Sequence, residues 1–195
     1  MDFSPRQIEI IEAATKLIGE KGIQNVTTKH LADEIGFSEP ALYRHFKGKT
    51  EILVSVLEYF RTKMSDSLKP LLDKQKTGLA KIKQLVEFQF DLFTKNPAII
   101  MVIFAETSFQ YDIILSATVN KLLNQKKQLA ISIIEEGIAD GSIRDDINVD
   151  QLMSIILGSM RFNVLQWRLS KFQFDLNQKG VELCQTINLL VKNKK

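Results

Sequence analysis

The chain has 195 residues, which is long enough for one or two domains, and its 45% hydrophobic content is sufficient for a packed core. Its net charge of +3 is too weakly basic to indicate a nucleic-acid partner by itself, and the single cysteine, Cys184, excludes an intramolecular disulfide and a multi-cysteine metal site. Because we find no signal-peptide pattern and no apolar run of roughly 18 residues, we expect a cytoplasmic protein with no membrane partner.

The first predicted helix begins at Ser4, where a serine cap is followed by Pro5 at the first helical position and by Gln7 as the partner in a capping box. Apolar residues recur at helical spacing and predict one buried face: Ile10, Ala13, Ala14, Leu17 and Ile18. Lys21 and Gly22 are typical of the end of a helix.

Two short helices joined by a tight turn are predicted between Val26 and Glu51. Thr27 or Thr28 caps the first of them, because a hydroxyl accepts a hydrogen bond from a free amide at a helix start. Gly36 is placed to end this helix, since glycine takes a left-handed conformation at little cost.

The second short helix is predicted to begin at Ser38, with Pro40 in its first turn, where a missing amide does no harm. Leu42 and Phe46 are four residues apart and point inward together. The remaining side chains then lie largely on the outer surface: Glu39, Ala41, Tyr43, Arg44 and His45. A capped helix that presents arginine, histidine and tyrosine outward is what reading the DNA major groove requires.

A longer helix is predicted from Lys49 or Thr50, and Pro70 is expected to kink or interrupt it. Thr77 and Gly78 indicate a loop. Further helices are predicted at about 79–94, 97–109, 112–138, 148–167 and 176–191. Because no segment alternates with a period of two, the predicted fold is all-α, with a three-helix head followed by a larger helical body.

The head resembles the helix-turn-helix of the TetR family of transcriptional regulators. The resemblance rests on the order T-T-K-x-L-A-x-x-x-G-F-S-x-P-A-L-Y-R-H-F-K-G-K and above all on its ending, L-Y-x-x-F-K-x-K. It spans approximately residues 4 to 64, and the segment from Gly137 to Leu152 also resembles that family's body. The resemblance implies a DNA-binding domain at residues 1–48 and a helical effector-binding and dimerisation domain at residues 49–195.

Double-stranded DNA is the partner that the resemblance implies for the head. Thr28 and Lys29, at a helix start, would bind phosphate, where free amides and the helix dipole favour an anion. Arg44 can reach guanine O6 and N7 with two donors. The alternative is that such residues are solvated charges on a small surface helix. The predicted DNA-binding residues are Thr28, Lys29, Ser38, Glu39, Pro40, Ala41, Tyr43, Arg44, His45, Lys47 and Lys49.

Glu39 fits this surface less easily, because a carboxylate near phosphates is repelled. It either accepts a hydrogen bond from a cytosine amine or suits the positive end of its helix without touching DNA. Base preference therefore stays open.

The resemblance also implies a cavity for an apolar small-molecule effector among the middle helices. Six aromatic residues are candidates for its lining: Phe88, Phe93, Phe104, Phe109, Phe162 and Trp167. The alternative is that each is an ordinary core residue. The resemblance further implies a homodimer through the last two helices, against the alternative that their apolar faces are buried within one chain. A two-fold dimer places two reading helices about 34–36 Å apart and predicts an inverted-repeat operator.

The favoured hypothesis is a ligand-responsive transcriptional repressor. The alternative is a DNA-bound adaptor that regulates a protein partner, as in a nucleoid-occlusion branch of the family, with no small-molecule effector. No sequence motif supports an enzyme. The only histidines, His30 and His45, both lie in the head, and no third histidine and no cysteine is available there to complete a metal site or a catalytic dyad. We therefore predict no catalytic residue, no metal site and no cofactor.

Overall fold

A computed structural model of the chain describes residues 2–69, 75–109 and 111–193. These residues form helices and no sheet apart from one bridge pair, Ile143 with Lys192, so the predicted all-α class is confirmed. Within the same ranges, every helix is too short or too polar to span a lipid bilayer. The predicted kink at Pro70 lies outside the described residues.

Ten α-helices lie within these ranges, and a 3-10 turn, Ile23–Asn25, follows the first. They are α1 Pro5–Lys21, α2 Thr28–Glu34, α3 Glu39–Tyr43, α4 Lys49–Leu68, α5 Gly78–Lys95, α6 Pro97–Ile103, α7 Glu106–Phe109, α8 Ile113–Ala139, α9 Val149–Leu169 and α10 Leu176–Val191.

Two predicted boundaries were wrong. The helix predicted at 97–109 is divided, because α6 ends at Ile103 after a run rich in β-branched residues that favour the helix poorly. Gly78, predicted in a loop, is the first residue of α5. The side chain of Thr77 caps that helix by accepting a hydrogen bond from the Ala80 amide at 3.3 Å.

The helices form two compact units. The first unit comprises the residues up to Ser65 together with Asn96–Leu122, and the second comprises Asp66–Lys95 together with the residues from Leu123 onward. These units are defined by packing, whereas the domain boundary predicted at residue 48 divides the chain by function. That boundary therefore stays a prediction.

The core of the first unit holds the short helices in place. The buried face of α1 packs with Leu31 of α2, Leu42 of α3 and the inward residues of α4. Val102 and Phe109 belong to the same core, so α6 and α7 also support this unit. The α1 residues in this core are Ile10, Ile11, Ala14, Leu17 and Ile18, all five essentially inaccessible.

The first turns of α8 are fastened to α4 within the first unit. Asp112 caps α8 by accepting two backbone amides at 3.0 Å, and the hydroxyl of Thr50 donates to the same carboxylate at 3.0 Å. Two turns further along, the ammonium of Lys121 lies 3.2 Å from the buried carboxylate of Glu58. A displacement of α8 therefore acts directly on α4.

Glycines allow the closest helix contacts in the second unit. A Cβ on Gly78 of α5 would lie 2.3 Å from the Gly137 Cα of α8, and a Cβ on Gly180 of α10 would lie 2.9 Å from the Phe90 ring of α5. Beside the first contact, the ammonium of the buried Lys81 pairs with the carboxylate of Glu136. The N-terminal end of α5 therefore packs against the last turns of α8.

We expect Gly78→Ala to lower the free energy of unfolding by about 1–3 kcal/mol, since the added methyl group meets backbone atoms that cannot rotate away. Urea denaturation followed by circular dichroism measures the change. Glu87→Ala is the control, because Glu87 is an exposed residue of the same helix and its carboxylate forms only a surface ion pair with Lys83, which contributes little to stability. Equal stability of Gly78→Ala and wild type would contradict the close contact.

Candidate nucleic-acid interface

Helix α3 has only five residues, and its orientation is set by its anchors. The hydroxyl of Ser38 accepts a hydrogen bond from the Ala41 amide at 3.3 Å, which caps the helix as predicted. Leu42 and Phe46 are buried in the core of the first unit. Because both apolar residues point inward, Tyr43 and Arg44 are directed outward.

Thr27, rather than Thr28, caps α2. Its hydroxyl accepts a hydrogen bond from the His30 amide at 3.1 Å. The hydroxyl of Thr28 is thereby available to other groups, and it donates to the carboxylate of Glu39 at 2.7 Å. It also lies 3.4 Å from the Tyr43 hydroxyl.

These contacts join Thr28, Glu39 and Tyr43 into one polar cluster that links the start of α2 to α3. The carboxylate of Glu39 therefore has a partner within the protein, which neither sequence hypothesis foresaw. A hydrogen bond between residues 11 positions apart leaves no periodic signal in the sequence. Through this bond, Glu39 holds the Thr28 hydroxyl beside the hydroxyl of Tyr43.

The cationic residues predicted to bind DNA comprise an exposed group and one residue whose side chain is turned inward. Lys29, Arg44 and Lys47 are exposed, whereas the ammonium of Lys49 donates to the Ile23 carbonyl at 3.0 Å. Burial lowers the pKa of Lys49. In this position Lys49 bonds to the first residue of the 3-10 turn, and its predicted contact with phosphate stays a prediction.

The other predicted residues lie around the same surface. Tyr43 is 49% exposed, Pro40 is exposed, and Ala41 and His45 are partly buried. The amide side chain of Gln7 donates to the His45 carbonyl at 3.4 Å, which ties α1 to the end of α3. Sequence reasoning gave Gln7 only its capping role, because this contact spans 38 positions of the chain.

The six aromatic residues predicted to line a cavity lie in both units. Phe109 is buried in the core of the first unit, and Phe104 of the same unit is partly buried. In the second unit Phe93 and Trp167 are buried and Phe88 is partly buried, while Phe162 is 58% exposed. Their assignment to one cavity therefore stays a prediction.

Two family profiles match the chain. Residues 10–56 match the bacterial regulatory proteins of the tetR family, and residues 58–192 match the C-terminal region of YsiA-like proteins. The HTH-type transcriptional repressor KstR2 of Mycolicibacterium smegmatis is 26% identical over 151 residues, which cover 77% of this chain and 74% of KstR2. The nucleoid occlusion factor SlmA of Vibrio vulnificus is 25% identical over 162 residues, which cover 80% of this chain and 83% of SlmA.

A solved structure shares the fold. It is the crystal structure of the transcriptional regulator FadR from Bacillus subtilis in complex with stearoyl-CoA, with a TM-score of 0.78 and 22% identity. The match covers 92% of this chain and 96% of that chain.

We expect Thr27→Ala to lower the free energy of unfolding by about 1 kcal/mol, because the variant leaves the His30 amide at the start of α2 without its cap. Thermal denaturation monitored by circular dichroism checks this. Thr27→Ser keeps the hydroxyl and is expected to retain most of the stability. If the alanine variant is as stable as the serine variant, the capping assignment is wrong.

Proposed function

This chain belongs to the TetR family of bacterial regulatory proteins, and we propose that it is a ligand-responsive repressor that binds an inverted-repeat operator as a homodimer. The observation that supports this most directly is α3, a short capped helix anchored by Leu42 and Phe46 that presents Tyr43 and Arg44 outward. This is the arrangement that a major-groove reader needs.

Each exposed residue then has a distinct part in DNA binding. Arg44 reads a guanine through two donors to O6 and N7. Lys29 and Lys47 neutralise phosphates and give affinity without sequence preference. Tyr43 packs its ring against sugar or a thymine methyl, while Glu39 acts indirectly by holding Thr28 beside the Tyr43 hydroxyl.

The surface proposed for dimerisation lies on α9 and α10. Both helices carry large apolar side chains that the chain itself leaves exposed, including Phe162 at 58% and Leu189 at 75%. The other members of this set are Ile155, Leu169, Val181 and Leu190. Removing such residues from water in a two-fold contact stabilises a homodimer.

The effector is proposed to be a small molecule with an apolar chain that binds in the second unit. The FadR structure is a complex with stearoyl-CoA, which is a molecule of that kind. Binding there acts on α8, whose first turns are fastened to α4 through Asp112 and Lys121. A shift of α8 changes the position of α4 and with it the spacing of the two DNA-reading helices, so operator affinity falls.

The adaptor hypothesis has one observation in its favour besides the similarity to SlmA. Tyr111, Ile113 and Ile114, at the start of α8, form an exposed apolar group that a protein partner could cover. That function needs no effector, so operator binding would not respond to any small molecule. The repressor hypothesis accounts for the second unit as well and is the one we retain.

Arg44→Ala is expected to weaken binding to the operator by about 5- to 150-fold, since one bidentate base contact is worth about 1–3 kcal/mol. The measurement is fluorescence anisotropy with a duplex that the wild-type protein has selected from a random library. Lys95→Ala is the control, because it removes an exposed cation paired with Asp91 in the second unit. Unchanged affinity and sequence preference of Arg44→Ala would refute the assignment of α3.

Phe162→Glu is expected to convert the dimer to a monomer at micromolar concentration, because the charge cannot be buried without a partner. Sedimentation velocity measures the state of assembly. Ile113→Glu changes an even more exposed apolar residue outside α9 and α10, and this variant should stay dimeric. If Phe162→Glu sediments as the wild type does, the proposed dimer surface is not the one used.

A further inference from the structure

Two polar side chains interrupt the apolar faces of helices inside the second unit. Gln89 of α5 is only 6% exposed and lies one turn from the buried residues Leu85 and Phe93. Lys126 of α8 shares a helix face with the buried Ala130, one turn away. Both positions would carry apolar residues if packing alone decided them.

Neither side chain makes a hydrogen bond or an ion pair with any residue that the structure describes. Burial of its ammonium group and the positive charge of Arg161 together lower the pKa of Lys126 to about 8. Lys126 as a whole residue is partly buried. Lys81, the other buried lysine of this unit, is in contrast paired with Glu136. A buried amide and a desolvated cation without partners are rare in proteins.

Helical spacing relates the positions of the two groups on α5 and α8. The helices meet where Gly78 approaches Gly137, and Lys81, which follows Gly78, pairs with Glu136, which precedes Gly137, as in an antiparallel pair. Gln89 is 11 residues after Gly78, and Lys126 is 11 residues before Gly137. Eleven residues make about three turns and about 16 Å, so each side chain returns to the helix face that makes the glycine contact.

We propose that Gln89 and Lys126 bind the anionic head group of an amphipathic effector, a carboxylate or a phosphate carried on an apolar chain. The inference rests on the proposed function and specifies the class of effector. The ammonium of Lys126 pairs with the anion, the amide of Gln89 donates to its oxygens, and Arg161 adds positive potential. The apolar chain lies against the buried faces of α5 and α8.

The charges favour an anion over other ligands. A neutral ligand would leave the Lys126 ammonium without a counter-charge in a poorly solvated place, and a cation would be repelled by Lys126 and Arg161. An oxyanion satisfies the ammonium and the amide donor at once. The unpaired groups therefore select for the charge of the ligand.

The test measures direct binding to the full chain without DNA at pH 7. Dodecanoate, dodecyl phosphate and dodecanol are titrated below their micelle concentrations, and the fluorescence of Trp167, the single tryptophan, reports binding. We expect at least one anion to bind about tenfold or more tightly than the alcohol. The stronger of the two anions tells whether a carboxylate or a phosphate is the head group.

Lys126→Met is expected to weaken binding of that anion about tenfold or more and to leave dodecanol binding unchanged. Gln89→Leu should weaken the anion severalfold. Lys127→Met is the matched control, because the neighbouring ammonium already pairs with Asp150 at 3.0 Å and the variant should bind as the wild type does. The thermal midpoint without ligand checks folding, and methionine on this apolar face should hold or raise it.

Three results would overturn the inference: wild-type protein that binds none of the probes, dodecanol binding as tight as that of both anions, or a folded Lys126→Met variant that keeps the anion affinity. The repressor hypothesis can be tested separately from the proposed site. Anion binding that depends on Lys126 but leaves operator affinity unchanged supports the site and refutes the repressor mechanism. Release of the operator by dodecanol alone supports the repressor mechanism and refutes the site.

Discussion

The burial of Leu42 and Phe46 is the constraint on which the proposed DNA-reading surface depends. A helix of five residues is far too short to persist alone, because the first hydrogen-bonded turn costs more conformational entropy than it returns. Helix α3 therefore exists only because these two side chains are fixed in the core of the first unit and Ser38 caps its start. The outward direction of Tyr43 and Arg44 is a consequence of that burial and would be lost with it.

Features that depend on residues near one another in the chain could be predicted from the sequence. The capping box of Ser4 and Gln7, the caps at Ser38 and Asn148, and the inward face of α1 all follow from local chemistry and helical spacing. The bounds of α10 follow in the same way, since Leu176 and Val191 begin and end a periodic apolar stripe. The helix-turn-helix belongs to this class as well.

Features that depend on distant partners could not be predicted. Glu39 and Lys49 both read as surface charges, yet one accepts from Thr28 and the other donates to Ile23, 26 positions away. The burial of individual aromatic residues could not be predicted for a related reason. Phe109 and Phe162 look equally apolar in the sequence, but the first completes a core and the second stays exposed. Composition identifies residues that are suited to burial, but it does not show which neighbouring residues bury them.

An unpaired polar group in a core also bears on how a ligand could act at a distance. A buried amide such as that of Gln89 costs about 1–3 kcal/mol while it lacks a partner, and the desolvated ammonium of Lys126 costs more. A ligand that pairs with both recovers this free energy only in the arrangement of α5 and α8 that it fits, so it favours that arrangement over others. The same α8 is bonded to α4 through Asp112 and Lys121, so a ligand that favours one position of α8 also favours one position of α4. By reciprocity, DNA that favours one position of α4 must change the affinity for the ligand by the same factor.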